Sequence, residues 1–255
     1  MSLIKSKNEV PFLVEGGARL ARVLDILVRH ARAGISTKEL DEIAEHEIRA
    51  TGDIPAFLNY TPRGGTIPFS GTVCTSVNDE VVHGIPSSRI LEEGDIVGLD
   101  IGLSHEGLFV DMAVTIPIGA ITPEEQKLLE ATKKALFIGI EKARAGNTTG
   151  DIGAAIEAYA RPLGYGIVDE LGGHGVGHEV HEEPYVPNVR MRGFNEKLVS
   201  GMVIAIEPML TLGTGNVIFL DDGFTVKTKD GSKSAHFEHT VLITEGEPRI
   251  LTMPK

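Results

Sequence analysis

The chain repeats itself. The segment GDIVGLD, from Gly94 to Asp100, returns as GMVIAIE, from Gly201 to Glu207: a glycine, three apolar matches, and a carboxylate six residues on. FVDMAVTI, from Phe109 to Ile116, returns as HFEHTVLI, from His236 to Ile243, which sets Asp111 on Glu238. His83-Gly84-Ile85 is echoed by His174-Gly175-Val176. One match between two apolar strands is ordinary chance. Two matches in order, each bearing a carboxylate, are the mark of a duplicated α/β half. Such halves are expected to face each other about a pseudo-twofold axis, with the seam as the natural place for a shared site.

The rest of the chain follows the same order twice. Val10, Leu13, Val14, Gly17, Ala18, Ala21, Leu24 and Val28 recur at helical spacing, so the reading is a helix from about residue 9 to 32 with Pro11 in its first turn. Ser36-Thr37-Lys38-Glu39 has the form of a capping box, and Leu40, Ile43, Ala44 and Ile48 carry a second helix to about Ala50. After a turn-rich stretch, TPRGGTIPFSG, come the strand-like runs GTVCTSV, GDIVGLDIG and GLFVDMAVTI. Thr122-Pro123-Glu124-Glu125 then opens a third helix, expected to reach about Ala145, and Thr149 to Arg161 reads as a fourth, closed by Pro162 and Gly164. Strand-like runs return at SGMVIAIEPML, GFTVKTK and AHFEHTVLIT. Helix, helix, strands therefore occurs over about 1–119 and again over 120–255, within one α+β domain.

Composition narrows the function classes. A chain of 255 residues buries one large core. The formal charge of −12 argues against a nucleic-acid surface of its own. Cys74 is the single cysteine, which excludes an internal disulfide and fits a reducing cytoplasm. No apolar run is long enough for a signal peptide or a membrane span, so the expected location is cytoplasmic.

Chemistry concentrates in the strands and in one loop. Taken singly, an acid such as Asp100 reads as a hydrogen-bonded strand residue. Asp100, Asp111, Glu207 and Glu238 at equivalent positions of a repeat read differently, because no Lys or Arg lies within these strands to pair with them. Small residues share their faces: Gly98 and Gly102 beside Asp100, Ala113 and Thr115 beside Asp111. Meeting at the seam, such acids repel one another and call for divalent cations. The loop GGHGVGHEVHEEP adds His174, His178 and His181. Its spacing is H-E-x-H, not the helical zinc motif H-E-x-x-H, and four glycines between Gly172 and Gly177 cost a helix about 1 kcal/mol each. Four carboxylates and one histidine form a mostly hard-oxygen set with charge for two ions, as in dinuclear metallohydrolases.

NDEVVHGIP, VGLDIG, FVDMAV, GGHGVG, HEEPYVPN, IEPM, TVKTKDGS and FEHTV, taken together, resemble the signature segments of type I methionine aminopeptidases, and the similarity runs over essentially the whole chain. The resemblance implies a pita-bread fold around an antiparallel-rich central sheet. It implies two divalent metal ions (Co, Mn, Fe or Zn) held by Asp100, Asp111, His174, Glu207 and Glu238, with Asp111 and Glu238 shared between them. By the same resemblance a metal-bridged hydroxide attacks the first peptide bond, Glu207 is the general base, and His181 and His83 contact the substrate at the scissile bond. The methionine side chain is expected among Tyr60, Phe69, Cys74, Val180 and Phe224, with Met209 nearby. Phe69 stands where relatives often carry Tyr, Phe224 where many carry Trp, and the TPRGGTIP loop looks longer than usual. His178 matches no family role and reads as a surface or loop residue. The implied substrates are nascent polypeptides beginning with Met and a small second residue, processed by a monomer in transient contact with the ribosome. Two alternatives stay open. Prolidases and aminopeptidase P share the fold and ligand set but usually carry a separate N-terminal domain, whereas this chain is expected to begin with the first helix of the repeat. Non-catalytic relatives bind protein or RNA after losing ligands, and here none is missing.

Overall fold

The computed structural model describes residues 3–62 and 64–253. Arg63, within the TPRGGTIP loop, lies outside the described residues, as do Met1 and Ser2 of the N-terminal segment. Four helices form where caps and periodicity place them: α1 (Val10–His30), α2 (Thr37–Ala50), α3 (Pro123–Lys142) and α4 (Thr149–Ala160). Reciprocal capping boxes open three of them, Ser36 with Glu39, Thr122 with Glu125 and Thr148 with Asp151. The third of these escapes the usual S/T-x-x-E/Q pattern because Asp replaces Glu. Helix α3 stops at Lys142, short of the expected Ala145, where Ala143 turns to ψ 60°.

A nine-stranded sheet runs in the order Ile54–Pro55, Ile96–His105, Leu108–Pro117, Glu238–Leu242, Val203–Ile206, Gly173–Gly175, Glu182–Val186, with Val73–Val77 and Arg249–Ile250 pairing alongside. The two halves meet where Leu108–Pro117 pairs antiparallel with Glu238–Leu242. One face of this sheet is covered by helices. Val97, Leu99, Ile101 and Leu103 alternate onto that face and pack with Leu13, Leu20, Leu24 and Leu27 of α1 and Leu40, Ala44 and Ile48 of α2. Leu128, Ala135 and Leu136 of α3, with Ile152 and Ile156 of α4, cover Ile204, Ile206 and Val241 in the same way. Each such Leu or Ile contributes about 1.5–3 kcal/mol by leaving water. The even-numbered residues of the first central strand, Asp100 among them, are left for the opposite face.

Two expected strands are each broken in two. The run SGMVIAIEPML forms Val203–Ile206 in the large sheet and Met209–Thr211 in a three-stranded one. The run AHFEHTVLIT divides likewise into Ser234–His236 and Glu238–Leu242. Pro208 supplies a local cause for the first break, since it has no N–H to give the ladder. Met209–Thr211 then pairs with Ser234–His236, so both broken strands change sheet together. Glu207 and Glu238 stand at these breaks.

Candidate metal centre

Sheet register explains why distant acids converge. Across one row, Asp100 lies opposite Ala113, and Ala113 lies opposite Glu238. Glu207 extends that row, one residue beyond the Ile206–His239 pair. In the next row on the same face, Asp111 pairs with Gly102, Thr240 with Ala205, and Gly175 with Ile204, which brings His174 beside Ala205. Ala113, Gly102, Thr240 and Ala205 are the small residues between the larger donors, and they leave the space above the sheet open. The glycines around His174 have a steric reason. A Cβ on Gly173 would stand 2.2 Å from the Ala205 carbonyl oxygen, and one on Gly175 would stand 2.0 Å from that of Glu183.

The five side chains singled out as ligands line one pocket. Among the described residues, no lysine or arginine lines it. Asp111, His174 and Glu238 each offer a donor atom within 4.8 Å of the others'. His174 Nδ1 lies 2.9 Å from the Gly175 carbonyl oxygen and donates its proton there, which leaves Nε2 as the lone-pair nitrogen. That Nε2 lies 3.5 Å from Asp111 Oδ2 and 3.6 Å from Glu207 Oε1, beyond ordinary hydrogen-bond reach. Asp111 is oriented by Thr240, whose hydroxyl donates to the Asp111 main-chain oxygen at 2.7 Å and lies 3.1 Å from Oδ1.

Crowding shows in the protonation tendencies. Burial, reinforced by the charges of Asp111 and Glu207, raises the Asp100 carboxyl to about 7. Asp111 is raised by burial and by Glu207, and Glu238 is raised well above the ordinary range by burial and by the three other acids. Glu207 goes the other way. Burial opposes its ionisation, but His236, His174 and His181 outweigh burial and lower its pKa. Buried carboxylates that resist ionisation, with no described lysine or arginine lining their pocket, form a donor set that fits divalent metal. The buried His236 supports the same fit: its Nε2 has no hydrogen-bond partner among the described residues and stands 3.5 Å from Glu207 Oε2.

Histidines flank the acids. His181 Nδ1 meets the Tyr60 hydroxyl at 2.8 Å, and its ring lies edge-on to that of His174 with centroids 4.4 Å apart. Burial, followed by the neighbouring His174, lowers the His181 pKa to about 3, so the ring is neutral. His83 is likewise lowered by burial and holds a left-handed backbone at φ 59°. The apolar wall comprises Phe69, Cys74 and Val180, buried together with Ala56 and Phe57, and with Tyr60 and Phe224 packed against them. Phe69 and Phe224 meet edge to face at 5.1 Å. Cys74 sits across from Asp100 in the sheet, and burial raises its thiol pKa well above the ordinary value, so it is a neutral wall residue. Met209 is elsewhere, buried with Val81, Val82, Val168 and Val226. His178 lies in the loop, as expected, and its Nε2 meets Glu9 Oε1 at 2.8 Å.

The sequence pattern of metallopeptidase family M24 matches residues 13–245. The chain belongs to metallopeptidase family M24. Methionine aminopeptidase of Aquifex aeolicus is 47% identical over 250 residues, covering 97% of each chain. Methionine aminopeptidase 1 of Bacillus subtilis is 43% identical over 252 residues, covering 99% of each. The crystal structure of methionine aminopeptidase from Rickettsia prowazekii matches with a TM-score of 0.93 at 34% identity, over 98% of this chain and 99% of that one. Prolidase from Pyrococcus furiosus matches at a TM-score of 0.80 and 23% identity, over 99% of this chain and 66% of that one, which is a likeness of fold. The M24 chain therefore has the expected α+β pita-bread fold. Among the described residues no helix is long and apolar enough to cross a membrane. Three residues at the M24 pocket escaped sequence reasoning: Phe57 and Pro62 in its lining, and His236 beside Glu207. A signal for His236 did exist, since it lies two residues before Glu238 and a strand period of two puts both on one face.

Proposed function

We propose that this M24 peptidase is a type I methionine aminopeptidase that removes Met from peptides and nascent proteins whose second residue is small. One observation carries the reading: four acids and His174 line a single pocket in which no described lysine or arginine pairs with them, beside an apolar wall. Asp100, Asp111, His174, Glu207 and Glu238 would hold two divalent ions. Bound there, such ions supply Lewis acidity and a water acidified towards neutral pH. The chain's own residues do the rest. Glu207, held ionised by its histidine neighbours, accepts the proton of the attacking water and passes it to the leaving amine. Neutral His181, with Nδ1 engaged by Tyr60, presents Nε2 to the scissile carbonyl as charge develops on its oxygen. His83 contacts the substrate from the other half. Phe69, Cys74, Val180, Phe224 and Tyr60 enclose the thioether, a soft group suited to such a lining. The substrate's free α-amino group would bind at the metal ions these residues hold, which confines cleavage to the first peptide bond. Action in the cytoplasm on chains leaving the ribosome follows from this substrate.

The test is cleavage of Met-Ala-Ser against Xaa-Pro and N-acetyl-Met peptides with Mn²⁺ or Co²⁺. Met-Ala-Ser alone should be cut. Cleavage of Xaa-Pro alone would transfer the chain to the prolidases, and no activity with any metal would make it a binding module. Glu207→Gln should abolish turnover, and near-normal cleavage by that variant would remove Glu207 as the base.

A further inference from the structure

A second polar cluster lies outside the metal pocket, against the loop that carries His181. Residues 4–9 run across this loop. The Lys5 main-chain N–H donates to the Gly201 carbonyl oxygen at 2.8 Å, and Ile4 bridges to Met202. The Lys5 side chain is fully buried, and its ammonium pairs with Glu182, the residue that follows His181. Its alkyl stem passes over Gly177, where a Cβ would stand 2.3 Å from Lys5 Cε. Gly177 itself has φ 134°, a backbone that L side chains rarely adopt. A few residues on, His178 Nε2 meets Glu9 Oε1 at 2.8 Å, while Nδ1, 3.9 Å from Glu182 Oε2, has no hydrogen-bond partner among the described residues. The Ser6 hydroxyl and main-chain N–H hold Glu9 down at about 2, so it is anionic. Gly177 is also fixed from the sheet, its carbonyl oxygen accepting from Phe109 N–H at 2.8 Å.

Burying a lysine to meet one carboxylate is a poor route to stability, because an apolar pair of similar size does as well or better. Geometry is what this arrangement supplies. Val180 and His181 lie between points fixed from outside: Gly177 under the Lys5 stem, His178 on Glu9, and Glu182 on the Lys5 ammonium. We propose that the N-terminal segment is a clamp, with Lys5 as a positioning residue that acts through Glu182 to hold His181 against the substrate. The inference rests on the reading that His181 faces the scissile bond. Lys5 touches neither substrate nor the donor acids. Its effect is on the placement of a loop whose displacement by about 1 Å is enough to slow turnover severely.

The test uses the full-length, metal-loaded protein and reads two quantities: Met-Ala-Ser kinetics, and amide hydrogen exchange across residues 177–182. Lys5→Met should lower kcat about tenfold with KM within about twofold, and should speed exchange at 178–182. In a His181→Ala background the same substitution should cost nothing further in kcat, since the group it positions is gone. Lys5→Met with Glu182→Gln, which leaves no unpaired buried charge, gives the same reading if the single variant does not fold. A lower melting temperature with unchanged kcat and exchange would make Lys5 purely structural and overturn the proposal. So would an equal loss of kcat in the His181→Ala background. If the wild-type protein cleaves no Met peptide, the aminopeptidase reading fails by itself, and the exchange data alone decide the clamp.

Discussion

Asp100→Asn tests the electrostatics of the pocket without any substrate. The folded protein raises this carboxyl to about 7, against an ordinary 3.8, first by burial and then by Asp111 and Glu207. A group whose folded pKa lies above its unfolded value favours the fold below the unfolded pKa, and that contribution is lost as pH rises through the folded one. At about 1.4 kcal/mol per pH unit, the gap makes Asp100 cost the fold about 4 kcal/mol at pH 8 and somewhat under about 2 kcal/mol at pH 5, where only the unfolded chain ionises it. Asparagine has nearly the same shape and never ionises. In chelator, the variant should therefore be the more stable protein at pH 8, by up to about 4 kcal/mol or roughly 10 °C in melting temperature. The advantage should shrink by more than half at pH 5. Water entering the emptied pocket makes these figures upper bounds. Saturating Mn²⁺ or Co²⁺ should erase most of that advantage, because the wild-type protein gains about 4 kcal/mol at a thousand times Kd while the variant, binding less tightly, gains less. Thermal unfolding at the two pH values, with and without metal, measures all four cases. A variant no more stable than wild type in chelator at pH 8, or a gap that does not change with pH, would refute the account of a buried, uncompensated acid.

Two further substitutions probe neighbours of the donors. Thr240→Val keeps the shape but removes the hydroxyl that contacts Asp111 Oδ1 at 3.1 Å; metal affinity by titration calorimetry should fall about 10–100-fold, and an unchanged affinity would show that Asp111 needs no such support. Tyr60→Phe removes the hydroxyl 2.8 Å from His181 Nδ1; kcat for Met-Ala-Ser should fall about tenfold and the ¹⁵N spectrum of His181 should show a mixture of tautomers, whereas unchanged spectra would assign the bond no orienting role.

Much of this site was legible because its signals are local. A capping box needs four residues, an amphipathic face about a dozen, and the paired carboxylates need only two short segments compared with each other. Features built across long separations were not legible. Pro208 marks one strand break, but the other, at Phe237, comes from partnership: Ser234–His236 follows Met209–Thr211 out of the large sheet. His236 is placed from two sides, its main-chain N–H donating to Thr115 Oγ1 at 2.8 Å and its main-chain oxygen accepting from the same hydroxyl at 2.8 Å. His178 lies in a loop, as expected, but its partner Glu9, 169 residues away, was not legible for the same reason. Met209 reads as a pocket residue only while its strand is taken as unbroken, and the break carries it into another core.

The strand breaks also separate the roles of acids that the repeat makes equivalent. Asp100 and Glu207 align between the halves, yet their surroundings differ. Asp100 lies inside a ten-residue strand, flanked by Cys74 on one side and Ala113 on the other, and burial dominates it. Glu207 follows the last residue of a four-residue strand, where the chain leaves the sheet and His236 Nε2 stands 3.5 Å from its carboxylate. One acid is therefore pushed towards its neutral form and its counterpart towards the ionised form. Acid–base pairs arise where environments drive two like groups apart in this way. Duplication supplies the matched carboxylates, and the loss of strand continuity in the second half leaves Glu207 the ionised member, the form that its proposed role as proton acceptor needs.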